Sequence, residues 1–234
     1  MKKLKIGIIG VGRLGYEHAC NIANRVPGSE LVAIADANFD RAKQVAEELG
    51  VTAVYNDPKD LCADPNVEAV AIITNTASHV EMIKIAMDAG KHVFCEKPLA
   101  DTVEKCKEAE QIIAAHPELT FMLGFMRRYD HSYQVAKKKM ENGDIGDVIL
   151  VRCYSQDPIS IIEGTLEYAP RSGGQFIDMS IHDFDLIRWL TGSEVKELWA
   201  TGGCYEFKQY KDWDDGDNVS GLMKMENDAM AFFF

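Results

Sequence analysis

The sequence predicts an α/β protein with two domains, in which a doubly wound parallel sheet is followed by an α+β domain built on a largely antiparallel open sheet. As far as Leu123, short apolar runs alternate with amphipathic stretches, and the strand-like runs are apolar nearly throughout, as in strands covered on both faces. Beyond Gly124, strand-like runs cluster after helix-like ones. We therefore predict a first domain over residues 1–123 and a second over residues 124–234.

Each element of the first domain is predicted from its apolar pattern. The predicted strands read KIGIIG, ELVAIAD, TAVY, EAVAIIT, KHVFCE and LTFML. The predicted helices read RLGYEHACNIANRV, FDRAKQVAEELG, ASHVEMIKIAMDAG and TVEKCKEAEQIIAAH. Because helices separate the strands, we expect the strands to run parallel, with helices on both faces of the sheet.

The second domain has a different order of elements. A helix-like AKKKMENG and a strand DVILVRCYS precede an irregular stretch from Gln156 to Gln175, and a helix is predicted from about Asp178 to Leu190. The last predicted strands read VKELWATGGCYEF, NVSGLMKM and AMAFFF. The final strand pattern stops at Phe234 without a polar tail or closing element, so we expect this domain to be truncated.

Composition and charge limit the partners. The formal net charge of -12 and the isoelectric point near 4.9 argue against a nucleic acid or an anionic membrane surface, because both would repel the protein. No run approaches the ~18 apolar residues that a membrane span requires. The cysteines are scattered without CxxC spacing, which indicates reduced thiols of a cytoplasmic protein, and we predict no metal site. A small-molecule partner is therefore expected.

A glycine-rich motif opens the first domain. Gly10, Gly12 and Gly15 lie in GVGRLG, directly after the first strand and at the start of the first helix. Such glycines allow a tight turn and a close approach of backbone N–H groups to a pyrophosphate at a helix N-terminus. Asp36 ends the second strand, where a carboxylate accepts hydrogen bonds from a ribose diol. Together they predict a Rossmann dinucleotide-binding domain; the alternative is plain turn glycines and a helix-capping aspartate.

The residues around this motif favour NAD over NADP. Asp36 is followed by Ala37 rather than by an arginine, so a 2'-phosphate would meet a negative charge without an adjacent guanidinium. Arg41 is the residue that would reverse this preference. Arg13 and Leu14, inside the glycine motif, are further predicted cofactor contacts.

The tripeptide Glu96, Lys97, Pro98 follows the fifth predicted strand. Ligands of open parallel sheets bind beyond the carboxyl ends of the strands, so we predict that Lys97 points into the cofactor crevice and that Glu96 also contacts the cofactor. An ammonium there can hydrogen-bond the oxygen of a carbonyl-alcohol pair and stabilise alkoxide character during hydride transfer. The alternative is a surface lysine whose stem covers apolar residues.

The helix predicted after Asp178 is apolar around most of its circumference but carries a polar stripe. Asp178, His182 and Asp185 lie on that stripe at i, i+4 and i+7, whereas Asp183 lies off it and is expected to be solvated. Ionisable groups on a buried helix need a polar cavity or each other. We predict that Asp178 orients His182, which accepts the proton of a substrate hydroxyl. The alternative is a core histidine capped by Asp178.

The motifs GVGRLG, EKP, GFMRRYD and SGGQFIDMSIHDFD, in this order, resemble the glucose-fructose oxidoreductase, inositol dehydrogenase and MocA family, most of all its inositol 2-dehydrogenases. The resemblance spans the whole chain. It implies bound NAD and the oxidation of a cyclic polyol or sugar by Lys97, Asp178 and His182, with His182 as general base. It also implies a cis bond between Lys97 and Pro98, and a homodimer or homotetramer in the full-length form.

The same resemblance assigns substrate contacts in the second domain. Arg127 of GFMRRYD meets the substrate or cofactor, or else pairs with Asp130. Asp185 matches a carboxylate that binds vicinal hydroxyls. The segment YSQDP departs from the His-Arg-Asn-Pro-like loop of inositol dehydrogenases, which leaves the stereoisomer open, and Asp157 within it is a predicted substrate contact.

A second departure from the family follows the fourth strand. The segment TNTASH lacks the proline of the family version. Thr74, Asn75 and His79 are still predicted to lie beside the nicotinamide ribose. The alternative for His79 is a residue at the start of a helix.

The leading expectation is therefore an NAD-dependent dehydrogenase that oxidises a secondary hydroxyl of myo- or scyllo-inositol. The alternatives are a dehydrogenase for an aldose or a deoxy sugar, a catalytically silent dinucleotide-binding protein, and a structural protein without a cofactor. Family members continue considerably further than Phe234, so the activity of the 234-residue form is left open.

Overall fold

The first half of the chain is built on a parallel sheet. The computed structural model describes residues 2–234, which divide into one unit ending at Gly124 and another spanning Phe125–Phe234. The strands of the first unit are β1 (Leu4–Ile9), β2 (Ser29–Ala35), β3 (Ala53–Tyr55), β4 (Ala69–Ile72), β5 (His92–Cys95) and β6 (Phe121–Leu123). They lie in the order β3-β2-β1-β4-β5-β6, and every neighbouring pair is parallel. The order reverses between β1 and β4, which is where sheets of this kind bind ligands.

Helices connect these strands, as the sequence predicts. They are α1 (Arg13–Asn24), α2 (Phe39–Leu49), α3 (Pro58–Ala63), α4 (His79–Asp88) and α5 (Val103–Ala114). Asn38 caps α2 by accepting a hydrogen bond from the Arg41 N–H, and Thr102 caps α5 in the same way. Only α3 is absent from the sequence prediction, because its six residues are too few to show a helical period.

Both faces of the first sheet are covered by apolar side chains. Ile8 and Ile9 are adjacent in β1 and both almost fully buried, yet they belong to different apolar clusters. Successive side chains of a strand point to opposite faces, so each cluster lies on its own side of the sheet. This two-sided burial explains why the predicted strands are apolar nearly throughout.

The second unit contains a mixed sheet. Its strands are β7 (Leu150–Cys153), β8 (Val195–Gly203), β9 (Asn218–Met225) and β10 (Met230–Phe233). Its helices are α6 (His131–Glu141), α7 (Ile162–Tyr168), α8 (Gln175–Asp178) and α9 (Ile181–Thr191). The strands lie in the order β7-β10-β9-β8, with antiparallel pairs except for the parallel pair of β7 and β10. The predicted α+β class is confirmed, with one parallel pair in a largely antiparallel sheet.

Two expectations for the second unit are wrong. The stretch predicted to be irregular, from Gln156 to Gln175, contains the helix α7. The single helix predicted from about Asp178 is interrupted, because α8 ends at Asp178 and α9 begins at Ile181. The Ser180 N–H donates to the Gln175 carbonyl at 3.0 Å, a wider turn than an α-helix makes, and Ser180 then becomes the N-cap of α9.

The core of the second unit centres on Phe233. Its side chain is fully buried and packs edge to face against Phe184, with ring centroids 4.9 Å apart. Ala231 on the same strand is also buried, whereas Met230 and Phe232 point to the other face and are exposed. This alternation of period two is typical of a sheet with one covered face. Among residues 2–234, no helix has both the length and the hydropathy needed to cross a bilayer.

Asp217 organises the turn that follows β8. Its carboxylate accepts hydrogen bonds from the backbone N–H groups of Tyr205, Glu206 and Phe207, at 2.7 to 3.1 Å. Burial alone would raise the pKa of Asp217, but these N–H donors and the Asn218 amide outweigh it and lower the pKa to about 2. The ionised carboxylate therefore stabilises the folded state.

The variant Asp217→Ala should lose stability in a pH-dependent way. Because the folded pKa lies below the ordinary value of 3.8, the stabilisation is present above that value and disappears as the pH falls towards 2. We expect a loss of roughly 1–2 kcal/mol at pH 7, a value reduced for solvent screening, and a smaller loss near pH 2. Urea unfolding across this pH range measures it, with the exposed Asp212→Ala as control. An equal loss at both ends of the range would contradict the assignment.

Candidate active site

The glycine loop between β1 and α1 is shaped by contacts that exclude side chains. Gly10 has a φ of 90°, and a Cβ built on it would lie 2.4 Å from the Ile73 carbonyl oxygen. A Cβ on Gly15 would lie 2.0 Å from the Gly10 carbonyl oxygen. No real Cβ contact is that short, so both positions require glycine. The loop consequently lies close to the end of β4.

Gly12 differs from its two neighbours because the space beside it is open. A Cβ built there would meet no atom within 4 Å. Gly12 is also the N-cap of α1, and no side chain caps this helix start. The first N–H groups of a helix attract anions when no capping side chain occupies them. The loop therefore fits a pyrophosphate, and the exposed Arg13 and Leu14 flank it.

The side chains of Asp36 and Arg41 bind the backbone N–H and the backbone carbonyl of Val11. Asp36 Oδ2 accepts a hydrogen bond from the Val11 N–H at 2.7 Å, and Oδ1 accepts one from the Asn38 N–H at 2.8 Å. Arg41 Nε donates to the Val11 carbonyl at 3.2 Å, and its guanidinium lies 5.0 Å from the Tyr16 ring centroid. A carboxylate has about four acceptor sites, so Asp36 retains capacity for a ribose diol.

The segment after β5 contains the predicted cis peptide bond between Lys97 and Pro98. The carboxylate of Glu96 is held within this unit, because Oε1 lies 2.9 Å from His18 Nε2 and Oε2 accepts the Lys97 N–H at 3.1 Å. These contacts turn Glu96 towards α1 and the backbone. The Glu96 carboxylate thus links α1 to the segment that carries Lys97, and the cofactor contact of Glu96 stays a prediction.

The three predicted cofactor contacts that follow β4 differ in their exposure to solvent. Thr74 is half-buried and Asn75 is exposed, as expected for residues beside a ligand site. His79 is only 1% exposed, and its ring nitrogens contact backbone carbonyls of Pro98 at 2.8 Å and Thr74 at 3.3 Å. A buried ring with these partners has no surface for a ribose. The predicted cofactor contact of His79 is therefore corrected, and its position at the start of α4 agrees with the alternative.

In the second unit, Arg127 forms a buried ion pair with Asp183 rather than with Asp130. Asp183 is 1% exposed, and Arg127 Nη1 donates to its Oδ1. Ser155 joins the two residues, because its Oγ accepts from Arg127 Nη2 at 2.6 Å and donates to Asp183 at 2.8 Å. Asp130 instead caps α6. The expectation that Asp183 is solvated is wrong.

A second ion pair engages Asp185. Arg128 Nε and Nη2 donate to both of its carboxylate oxygens, at 2.6 to 3.1 Å, and Asp185 is 5% exposed. The hydrogen bonds that Arg128 donates to this carboxylate raise the pKa of Arg128. A carboxylate held in this bidentate way has little capacity left for substrate hydroxyls. The predicted substrate contact of Asp185 is corrected to an anchor between α9 and the start of the unit.

The remaining predicted catalytic residues of this unit lie on either side of the break between α8 and α9. Asp178 is the last residue of α8 and His182 is the second residue of α9, and both side chains are half-buried. The break replaces the continuous stripe that the sequence predicts. Asp157 is exposed in the segment after β7. These three residues remain candidates for contacts with substrate.

The sequence reveals neither Asp183 nor His18 as a site residue. Each has a partner that is far away in sequence, Arg127 for Asp183 and Glu96 for His18. For the partner of Asp183, the sequence offers only a match of charges between two motifs. One motif contains Arg127 and Arg128, and the other contains Asp183 and Asp185. Charge alone does not decide which arginine binds which aspartate.

The variant Arg127→Met should be strongly destabilising. It leaves the Asp183 carboxylate buried without its guanidinium, which costs about 3–5 kcal/mol, and adding Asp183→Leu should restore much of that loss. Urea unfolding of both variants measures these changes. The matched control is Arg188→Met, since Arg188 pairs with Glu194, whose side chain is 60% exposed, and we expect a loss of about 1 kcal/mol or less there. Equal losses for the two arginines would refute the assignment.

Two family models cover most of the chain. Residues 4–125 match an oxidoreductase family with an NAD-binding Rossmann fold, and residues 133–234 match the GFO/IDH/MocA C-terminal domain. A myo-inositol 2-dehydrogenase of Thermotoga maritima is 37% identical over 97% of this chain and 67% of its own length. The scyllo-inositol 2-dehydrogenase (NAD(+)) of Bacillus subtilis is 38% identical over 97% of this chain and 65% of its own length.

A solved structure leads to the same family. The scyllo-inositol dehydrogenase of Lactobacillus casei, solved with bound NAD(H) and scyllo-inositol, superposes with a TM-score of 0.93 and 40% identity, over 99% of this chain and 69% of that one. The chain thus spans about two thirds of the length of these relatives. The family predicted from the motifs is confirmed: this chain belongs to the GFO/IDH/MocA family of oxidoreductases, whose N-terminal domain is an NAD-binding Rossmann fold.

Proposed function

We propose that this protein is an NAD-dependent dehydrogenase that oxidises a secondary hydroxyl of a cyclic polyol, myo- or scyllo-inositol, to the ketone. The observation that carries the proposal is the joint presence of an open, uncapped glycine loop, Asp36 at the end of β2 and Lys97 after β5, at one edge of a parallel sheet. The relatives that are named inositol 2-dehydrogenases support the choice of substrate.

The first unit would hold the cofactor. The N–H groups around Gly12 suit the pyrophosphate, Asp36 suits the adenosine ribose, and Thr74 and Asn75 would lie on the nicotinamide side. NAD, when bound, supplies the hydride acceptor of the reaction. The protein must then position the substrate, remove the hydroxyl proton and stabilise charge on the reacting oxygen.

We assign these tasks to Lys97, Asp178 and His182. The imidazole of His182 accepts the hydroxyl proton, and Asp178 orients that ring and stabilises its charged form. The Lys97 ammonium hydrogen-bonds the same oxygen and stabilises its alkoxide character as the carbon loses its hydride. Asp157 would bind a neighbouring hydroxyl of the ring, while Arg127 acts indirectly through its buried pair with Asp183.

The substrate is tested by following NADH absorbance while the purified protein, as encoded by its complete gene, is incubated with NAD and a panel of substrates. The panel contains myo-, scyllo- and chiro-inositol together with aldoses and deoxy sugars. We expect turnover of an inositol, with much lower kcat/KM for open-chain polyols. Turnover of an aldose alone would establish a sugar dehydrogenase instead, and NAD binding without any turnover would indicate a catalytically silent protein.

The shared role of Lys97 and His182 gives a sharper test. We expect Lys97→Met and His182→Asn each to lower kcat by about 10²–10⁴-fold, because each removes a group that acts on the reacting oxygen. If both act on one oxygen, the double variant loses far less than the product of the single losses. Steady-state kinetics of the four proteins measure this coupling. Strictly multiplicative losses would show that the two residues act independently.

The role of Asp36 is tested by cofactor affinity, which does not depend on turnover. In Asp36→Asn the amide oxygen can still accept the Val11 N–H, but the negative charge facing a 2'-phosphate is gone. We expect the ratio of the Kd values for NADP and NAD to fall by about ten- to hundredfold. Fluorescence titration measures both constants, and Asp40→Asn, with a side chain 95% exposed, is the control. An unchanged ratio would remove Asp36 from the ribose site.

We also propose that the protein works in the cytoplasm as a homo-oligomer on a small polyol, without nucleic acid or membrane partners. The cysteines of residues 2–234 are all free thiols, which is typical of a reducing compartment. Apolar side chains such as Leu198 and Trp199 are exposed on β8, which supports association through that sheet. Light scattering on the purified protein measures the number of subunits.

A further inference from the structure

His79 has two backbone carbonyl partners that belong to different loops. Its Nδ1 lies 2.8 Å from the Pro98 carbonyl oxygen, and its Nε2 lies 3.3 Å from the Thr74 carbonyl oxygen. Thr74 follows β4 and Pro98 follows β5, and these two strands are neighbours in the sheet. A single buried ring therefore lies between the two loops that continue from adjacent strands at the carboxyl edge of the sheet.

The distances indicate which nitrogen carries the proton. Burial lowers the pKa of His79, while the carbonyl oxygens of Pro98 and Thr74, which would favour a charged ring, oppose that shift without cancelling it. The neutral ring has one N–H, and the shorter contact is the one at Nδ1. With its one N–H on Nδ1, His79 donates to the Pro98 carbonyl, and its unprotonated Nε2 lies beside the Thr74 carbonyl without a hydrogen bond.

The Pro98 carbonyl needs this donor. Pro98 is buried, so its carbonyl has little access to solvent, and its ring nitrogen has no N–H with which to anchor the same segment. On the other side of Lys97, Glu96 accepts the Lys97 N–H and contacts His18. The backbone around Lys97 is consequently held from α1 on one side and from α4 on the other.

We propose that His79 is a positioning residue for Lys97, through the hydrogen bond that it donates from Nδ1 to the Pro98 carbonyl. It touches neither the substrate nor the cofactor. The catalytic part of this proposal rests on the proposed function, whereas the structural part, that the ring fixes the backbone at Lys97, does not. A displacement of about 1 Å at a reacting group lowers the rate by about 10²-fold, so even a small shift of Lys97 has a measurable effect.

Substitution of His79 by asparagine or glutamine distinguishes the roles of the two ring nitrogens. The amide NH₂ of asparagine can take the position of Nδ1, and that of glutamine can take the position of Nε2. His79→Ala therefore removes the donor to the Pro98 carbonyl. His79→Gln moves the donor to the position of Nε2, and His79→Asn keeps it at the position of Nδ1. His116→Ala is the matched control in the same unit, because His116 pairs with Asp88 at the partly exposed end of α4.

The readout that needs no turnover is the backbone amide signal of Lys97 in protein labelled with ¹⁵N-lysine, assigned with the Lys97→Arg variant. We expect His79→Asn and His116→Ala to leave this signal in place, and His79→Ala and His79→Gln to shift and broaden it. An unchanged signal in His79→Ala, or a shift in His79→Asn as large as in His79→Ala, would overturn the proposal whatever the protein's activity.

Kinetics then test the consequence for catalysis. We expect His79→Ala and His79→Gln to lower kcat by about 10- to 100-fold, with the Kd for NAD changed less than about threefold, and His79→Asn to recover most of kcat. A loss of NAD affinity by the same factor as kcat would identify a direct cofactor contact and overturn the positioning role. If the wild-type protein turns over no polyol or sugar, the proposed function fails, and the amide signal alone decides on the role of His79.

Discussion

The strands of a parallel sheet all end at the same edge, and this constraint organises the first unit. Gly10 follows β1, Asp36 follows β2, Thr74 follows β4 and Lys97 follows β5, so groups far apart in sequence lie at one edge. The buried strands form a rigid framework, and the polar residues that follow their ends are placed to bind ligands. The apolar residues on both faces of the sheet, such as Ile8 and Ile9, are therefore the reason why the polar residues beyond them are well placed.

Inside that framework, polar contacts that are local to the unit fix the loops. Asp36 and Arg41 hold the glycine loop, Glu96 and His18 link α1 to the segment of Lys97, and His79 lies between two loops. In the second unit the ion pairs of Arg127 with Asp183 and of Arg128 with Asp185 tie α9 to the motif at the start of the unit. Buried charges of this kind are tolerated because each has its counter-charge and hydrogen bonds.

Much of the fold is readable from the sequence because it depends on local patterns. Strands such as β5 show as apolar runs, and the glycine loop shows because backbone contacts at Gly10 and Gly15 allow no other residue. The break between α8 and α9 does not show, because the apolar residues continue through it and only Ser180 hints at a new cap. The partners of Asp185, His79 and Glu96 also escape the sequence, since they depend on which distant backbone or arginine folds beside them.

The two hydrogen bonds to the backbone N–H and carbonyl of Val11 affect how a dinucleotide would be bound. A flexible loop loses conformational entropy when it wraps around a ligand, and this loss weakens binding. Here Asp36 and Arg41 already hold the loop in its turn, and Gly12 leaves the space beside it open. The loop is thus preorganised, so most of the favourable interaction with a pyrophosphate would appear as affinity instead of being consumed in ordering the chain.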